Sequence, residues 1–338
     1  MIRAAALFFA LLLWESAFAQ VAAAKLEGPE RQARLLEGAG REGSVTVYSS
    51  MAERDLRRLA AEFERRYSLK VNLWRAGKDK ILQRVLAEAR AGRREVDVVH
   101  NPSPEMEALH RERLLQAVSS PRLAELIPEA VAPHGEWAGP RVYVFVQAYN
   151  TTKVKPAELP QSYRDLLHPR WKGRIAIEGK EQEWFFTLVQ AMGEDEGLRY
   201  FRELAANGLS VRMGNALLNN LVIAGEVPFA LTLYSFLPEQ ARRAGAPVDW
   251  IALAPTIAGT DAVGVVASAP HPHAAVLFYD FMLGDGQAMM AEMHHLISHR
   301  RMAPELRRFK LKFIDPAAVI DDYDRWTRIF EDTIHRRK

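Results

Sequence analysis

The stretch Val45-Thr46-Val47-Tyr48-Ser49-Ser50 decides the fold. A β-branched, apolar run ends abruptly in two small hydroxyl residues, and a charged helical pattern starts at once with Met51-Ala52-Glu53-Arg54-Asp55-Leu56. From Glu53 to Tyr67 the apolar residues Leu56, Leu59, Ala60, Phe63 and Tyr67 recur at helical spacing. The same alternation continues outward. Val71 to Trp74 reads as a strand and Ile81 to Ala89 as one face of a helix that Gly92 closes. Val96 to Val99 reads as a buried strand, and a helix is expected near Pro104 to Arg113. Strand and helix in strict alternation specify a parallel sheet with covering helices.

Arg141 to Ala148 (RVYVFVQA) is a long strand, followed by a loop-rich stretch from Pro156 to Gly173. A second α/β series starts at Arg174, with helices at 184–192, 196–207 and 216–224 and strands at 227–233 and 249–253. Ala262 to Ala267 (AVGVVA) then makes a further strand, and helices return at 272–283 and 287–294. The two long apolar strands are natural crossings, so two α/β lobes joined by two strands are expected, with a ligand cleft at the strand ends.

Composition narrows the class. Apolar residues make up 49% of the 338-residue chain and charged residues 26%, enough for ample cores under a solvated surface. The net charge of +3 is spread along the chain, and no Lys/Arg block marks a nucleic-acid footprint. There is no cysteine, which excludes disulfides, thiol nucleophiles, thiolate metal sites and a lipid-anchored cysteine. Met1-Ile2-Arg3, the apolar run Ala4 to Trp14 and Ala17-Phe18-Ala19 fit a signal peptide of residues 1–19 cleaved before Gln20. A soluble, exported protein is expected, and the periplasm suits it best.

Five stretches carry a family resemblance: VTVYSSMAERDLRRLAAEFERRY (45–67), ILQRVLAEARAGRREVDVV (81–99), HPRWKGRIAIE (168–178), NNLVIAGEVPFALTLY (219–234) and HPHAAVLFYDFMLGDGQ (271–287). In order and spacing the chain resembles a periplasmic solute-binding protein of an ABC importer, in the branch that binds ferric iron. The resemblance implies a two-lobed type II periplasmic-binding-protein fold that closes on its ligand and docks on a permease in the inner membrane. The expected division is lobe 1 over 44–145 plus 265–310, lobe 2 over 146–264 and a C-terminal helical segment over 311–338. No enzymatic activity is implied, and a monomer is expected.

Iron binders of this family hold Fe3+ with a His, a Glu and two adjacent tyrosines. Those positions here fall on Ala52, Pro102, Ser235 and Phe236, none of which offers a hard anionic donor. The family's anion loop is replaced by Glu181-Gln182-Glu183, whereas Asn215 matches a family asparagine. A different set stands at the strand ends. Ser49 and Ser50 offer hydroxyls beside a helix start, or cap that helix. Arg75 offers a fork for a carboxylate or phosphonate. Asn101 follows one strand with His100, Tyr149 follows the crossing strand, and Glu181 and Glu183 open a helix for an amine or a metal. Trp184 and Tyr234 offer stacking faces, with Ser235 next in the chain. The expected ligand is therefore an anionic or zwitterionic small molecule. Ferric iron is the alternative transported ligand, with Tyr234, Glu181 and Glu183 as its donors, and no resident cofactor is expected.

Gly38, Gly40 and Gly43 match G-x-G-x-x-G but precede a strand instead of following one, so the dinucleotide context fails. His294, His295 and His299 read as a surface group or a peripheral metal site. An exported hydrolase or a periplasmic sensor are the competing classes. The chain shows neither G-x-S-x-G nor H-E-x-x-H.

Overall fold

The computed structural model describes residues 23–301 and 304–335. The expected signal peptide and its cleavage point lie outside them. The chain divides into two compact units: one up to Arg141 with Thr260–Met293 and Ile297–Met302, the other Val142–Gly259, His294–Leu296 and Ala303 onward.

The sheet of the first unit is built from β1 (Ser44–Ser49), β2 (Lys70–Arg75), β3 (Val98–Pro102) and the end of β10 (Thr256–Val266), in the order β2-β1-β3-β10. The first three are parallel, because α2 (Glu53–Tyr67) and α3 (Lys78–Arg90) return the chain to the same edge each time. β10 runs antiparallel to β3, pairing Asp261 with Pro102 and Val265 with Val98. Helix α4 (Ser103–Arg111) follows β3 without a linker, and a two-residue β4 (Leu115–Gln116) pairs with β10.

The second unit repeats the plan. β6 (Ile175–Glu178), β7 (Ser210–Arg212) and β8 (Phe229–Tyr234) are parallel in the order β7-β6-β8, and β5 (Ala138–Asn150) runs antiparallel beside β8. β9 (Val248–Ile251) pairs with the last residues of β5. Helices α5 (Gln182–Met192), α6 (Glu194–Ala206), α7 (Asn215–Ala224) and α8 (Phe236–Arg243) follow their strands. All 13 residues of β5 and all 11 of β10 are buried, which is why 142–146 and 262–266 within them read as apolar runs instead of alternating ones. The chain passes between the units inside these two strands and again within 293–303.

A helix that periodicity had not singled out, α1 (Arg31–Glu42), precedes β1. It explains the glycine triplet. Gly38 lets α1 approach the His273 ring, where a Cβ would lie 2.3 Å from ring carbon. Gly43 caps the helix with φ +74°. The triplet therefore ends a helix and holds no phosphate turn. α1 packs on α9 (Pro272–Leu283), nearly all of which is buried, and Phe63, Phe278 and Phe281 meet edge to face or tilted beneath it. Helix α10 (Asp285–Glu292) follows α9.

After β11 (Leu296–Ile297), β12 (Leu311–Phe313) pairs with Thr256–Ala258, and α11 (Pro316–Asp321) and α12 (Tyr323–Phe330) follow. Ile314, Val319, Trp326, Phe330 and Ile334 join the aromatic core of the second unit. No helix among the described residues is long and apolar enough to cross a membrane.

Candidate functional site

In a parallel sheet every strand delivers its carboxyl end to the same edge, and the helix that follows starts there. In the first unit β1, β2 and β3 place Ser49, Arg75 and Asn101 at that edge. In the second, β6 and β8 place Glu181 and Tyr234 there, and β7 leads to Asn215. The six helices that start at these edges, α2 to α5, α7 and α8, have as N-caps Ala52, Gly77, Pro102, Glu181, Gly214 and Ser235, and none makes a side-chain capping bond. By contrast, Asp315 caps α11 through two backbone N–H groups. The first-turn amides at these six helix starts thus receive no bond from the side chain of their own N-cap residue.

In the first unit Ser49 is fully buried. Its Oγ accepts the Met51 N–H at 3.1 Å and lies 3.0 Å from His100 Nδ1. Neither serine caps α2; Ser49 closes the turn before it instead. The Ser50 N–H donates to the His100 carbonyl at 3.2 Å. Arg75 is exposed, and its guanidinium donates to the carbonyls of Met51 at 3.2 Å and Ser50 at 3.5 Å. It therefore braces the turn after β1. Asn101 is fully buried; its Nδ2 donates to the Lys78 carbonyl at 3.1 Å, and its Oδ1 has no hydrogen-bond partner among the described residues. Lys78 Nζ lies 3.5 Å from Glu105.

The second unit gathers an acidic, phenolic group. Glu181 is 2% exposed and accepts from Asn215 Nδ2 at 2.7 Å and from the Tyr234 hydroxyl at 3.5 Å. Asn215 Oδ1 is buried with no partner among the described residues. Glu178 takes the Gly214 N–H at 2.8 Å and the Lys180 N–H at 2.7 Å. Helix α7 carries no acid in its first turn, so Glu178 and Glu181 supply the negative charge that its positive end favours. Glu183 is buried in the first turn of α5.

Two sequence candidates lie elsewhere. Tyr149 pairs with Phe229, the first residue of β8, whereas Phe145 pairs with Tyr234, its last. Because β5 is antiparallel, its carboxyl end lies at the amino ends of β6 and β8, opposite the functional edge. Burial, then the charge of Asp249 and a hydrogen bond to it, raise the Tyr149 phenol pKa. Trp184, expected as a stacking face, is fully buried among Phe145, Tyr163 and Phe201 and serves the core. Ser235 is buried, with its N–H donated to the Val144 carbonyl at 2.9 Å.

The antiparallel strands bring in residues that the reading of parallel strand ends missed. Tyr143 on β5 packs against Tyr234 with ring centroids 5.3 Å apart. Phe236 also stacks with Tyr234, 6.1 Å away, and meets the buried His295 at 4.7 Å. In the first unit Arg141 and Asp261 form a buried ion pair beside the end of β3. Extending the register of each crossing strand would have found Tyr143, Arg141 and Asp261.

Comparison with known proteins gives this edge its context. The family model described as Bacterial extracellular solute-binding protein matches residues 102–307. Iron uptake protein A1 of Synechocystis sp. (strain ATCC 27184 / PCC 6803 / Kazusa) is 28% identical over 297 residues, 79% of this chain and 79% of that one. Iron-bound HitA from Pseudomonas aeruginosa superposes with a TM-score of 0.76 at 22% identity, over 86% of this chain and 99% of its own. The periplasmic binding protein AfuA from Actinobacillus pleuropneumoniae, with exogenous fructose-6-phosphate bound, gives a TM-score of 0.76 at 22% identity, over 88% and 100%. The last two share the fold to the same degree and hold chemically unlike ligands, so the two-lobed periplasmic-binding-protein fold leaves the ligand open. The family match spans more than half of the sequence, and the chain belongs to the bacterial extracellular solute-binding proteins, whose work is to bind a solute and not to transform it.

Proposed function

We propose that the protein captures an anionic or zwitterionic small molecule in the periplasm and hands it to the permease of an ABC importer, acting as a monomer. The observation that carries the ligand class is Glu181, a buried carboxylate set between Asn215 and the Tyr234 hydroxyl. Glu181 with the open Asn215 Oδ1 offers acceptors to an ammonium group. The uncapped amides at the start of α8, in the same unit as Glu181, suit acidic oxygens. Arg75 supports this reading less than its sequence position suggested, because its guanidinium already braces the β1 turn.

Ferric iron is the second reading. Tyr234 and Glu181 put a phenol and a carboxylate 3.5 Å apart, both hard oxygen donors. HitA and the Synechocystis relative add support by similarity. Against it stand Ala52, Pro102, Ser235 and Phe236, which leave most of the coordination to other groups.

Native mass spectrometry of freshly purified protein identifies a co-purifying solute. Titration with Fe3+ as its citrate chelate, followed by visible absorbance, separates the readings. The first expects an organic ligand, no intense phenolate-to-iron band, and binding weakened about tenfold or more in Glu181→Gln through loss of a charge-assisted bond. An intense band that disappears in Tyr234→Phe overturns it in favour of iron.

A further inference from the structure

Outside the strand-end edge, the first unit contains a second group of ligating side chains. Glu107, His110 and His134 each offer one ligand atom, and these atoms lie within 4.8 Å of one another. Glu107 and His110 share one face of α4, three residues apart. His134 comes from the turn 132–137, where the Gly135 N–H donates to the Ala132 carbonyl at 2.9 Å and the Ala132 N–H to the Trp137 carbonyl at 3.3 Å. Gly135 adopts φ +71° there, and the Trp137 ring meets His134 edge to face at 5.8 Å. The turn is thus a built element that aims His134 at α4.

Both imidazoles are oriented through Nδ1. His110 Nδ1 lies 2.7 Å from Glu136 Oε2, and His134 Nδ1 accepts the Glu136 N–H at 3.2 Å. His134 Nε2 faces Glu107 Oε2 at 3.2 Å. A carboxylate accepting from the far nitrogen is what fixes the tautomer of a metal-binding histidine, and Glu136 can do this for His110. A neutral His134, whose Nδ1 accepts from a backbone N–H, carries its proton on Nε2 and gives up that hydrogen bond on ligating. The two rings stack with centroids 3.5 Å apart and planes 4° from parallel. Arg111, 3.6 Å from the other oxygen of Glu107, is the competing positive charge.

We propose that Glu107, His110 and His134 bind a divalent first-row transition ion, of which Zn2+ is the representative, with Glu136 orienting His110. Two imidazoles and one carboxylate are a donor set that suits zinc and leaves room for water. One ion meets both Nε2 atoms in their ring planes once a ring tilts from the stack, and the torsion concerned is a soft one. Among the described residues, this cluster is where histidine and carboxylate donors converge, and not at His294, His295 and His299. The proposal is independent of the solute's identity.

The test is a titration of the untagged protein with Zn2+, read by calorimetry and by histidine NMR signals. The expected result is one ion per chain, with the His110 and His134 signals perturbed together. Affinity should fall at least about tenfold in His134→Ala, and about 10- to 100-fold in Glu136→Gln, whose role is to orient a ligand. Zn2+ that leaves the His110 and His134 signals unmoved overturns the proposal, as does wild-type affinity in a folded His134→Ala. The wild-type NMR result decides the matter if that variant does not fold.

Discussion

Two charged residues show how much a buried ion pair can carry. Arg141 and Asp261 are both buried, so neither charge has water to fall back on. Asp261→Asn removes the buried carboxylate that Arg141 faces and is expected to cost about 3–5 kcal/mol, read as a lower urea midpoint at unchanged slope. His271, at the start of α9, carries a pH signal. Its ring lies 2.9 Å from the buried Asp97, and its backbone N–H donates to the same carboxylate at 2.7 Å. The hydrogen bond to Asp97 raises the His271 pKa above 6.5, burial opposes it, and the charges of Asp97 and Glu42 add to it. A raised folded pKa stabilises the protonated form of the native state. That contribution is therefore fully present below the unfolded pKa of about 6.5 and is lost as pH rises through the folded value. Urea unfolding across this range should show stability declining with pH, and His271→Asn should flatten the decline.

Elements here are set by close approach as much as by propensity. Gly197 lies where α6 meets α5, and a Cβ there would sit 2.7 Å from Val189 Cα and 2.9 Å from its carbonyl oxygen. These are backbone atoms that cannot turn aside. Gly197→Ala is expected to destabilise by about 1–3 kcal/mol, although alanine is the better helix former. Gly40 in α1 is the counter-case: a Cβ meets nothing within 4 Å. Gly40→Ala is expected to stabilise by about 0.4–1 kcal/mol, and chemical denaturation of both variants checks the opposite signs. Such contacts also limit what can be read from sequence. α2 was legible because Leu56, Leu59 and Phe63 bury one face, whereas α1, with Gly38 and Gly40, lacks that plain pattern. α8 begins on the stretch Phe236-Leu237-Pro238, where the proline obscures a helix start.

Across the whole molecule, the order of strands and helices and the family resemblance were legible, because each parallel strand is an apolar run followed by its own helix. The expectation of Ser49, Asn101, Glu181 and Tyr234 at strand ends followed from the same logic, whereas Asn215 came from the family resemblance. Tyr149 and Trp184 went astray for one reason: a one-dimensional pattern does not give strand direction or which face of a helix turns inward. Tyr143 was missed on the same account, since only the antiparallel register of β5 carries it to Tyr234.

The bare helix starts at the functional edge have a cost that selection for stability alone would have removed. Ala52 precedes α2 with an extended backbone and no capping bond, and serine there would supply one. Ala52→Ser is therefore expected to raise stability by about 0.5–2 kcal/mol in thermal unfolding. If the first-turn amides of α2 serve the solute's acidic oxygens, the same hydroxyl competes for them and weakens capture. A more stable, poorer binder would mark this edge as a compromise between holding itself together and keeping its hands free.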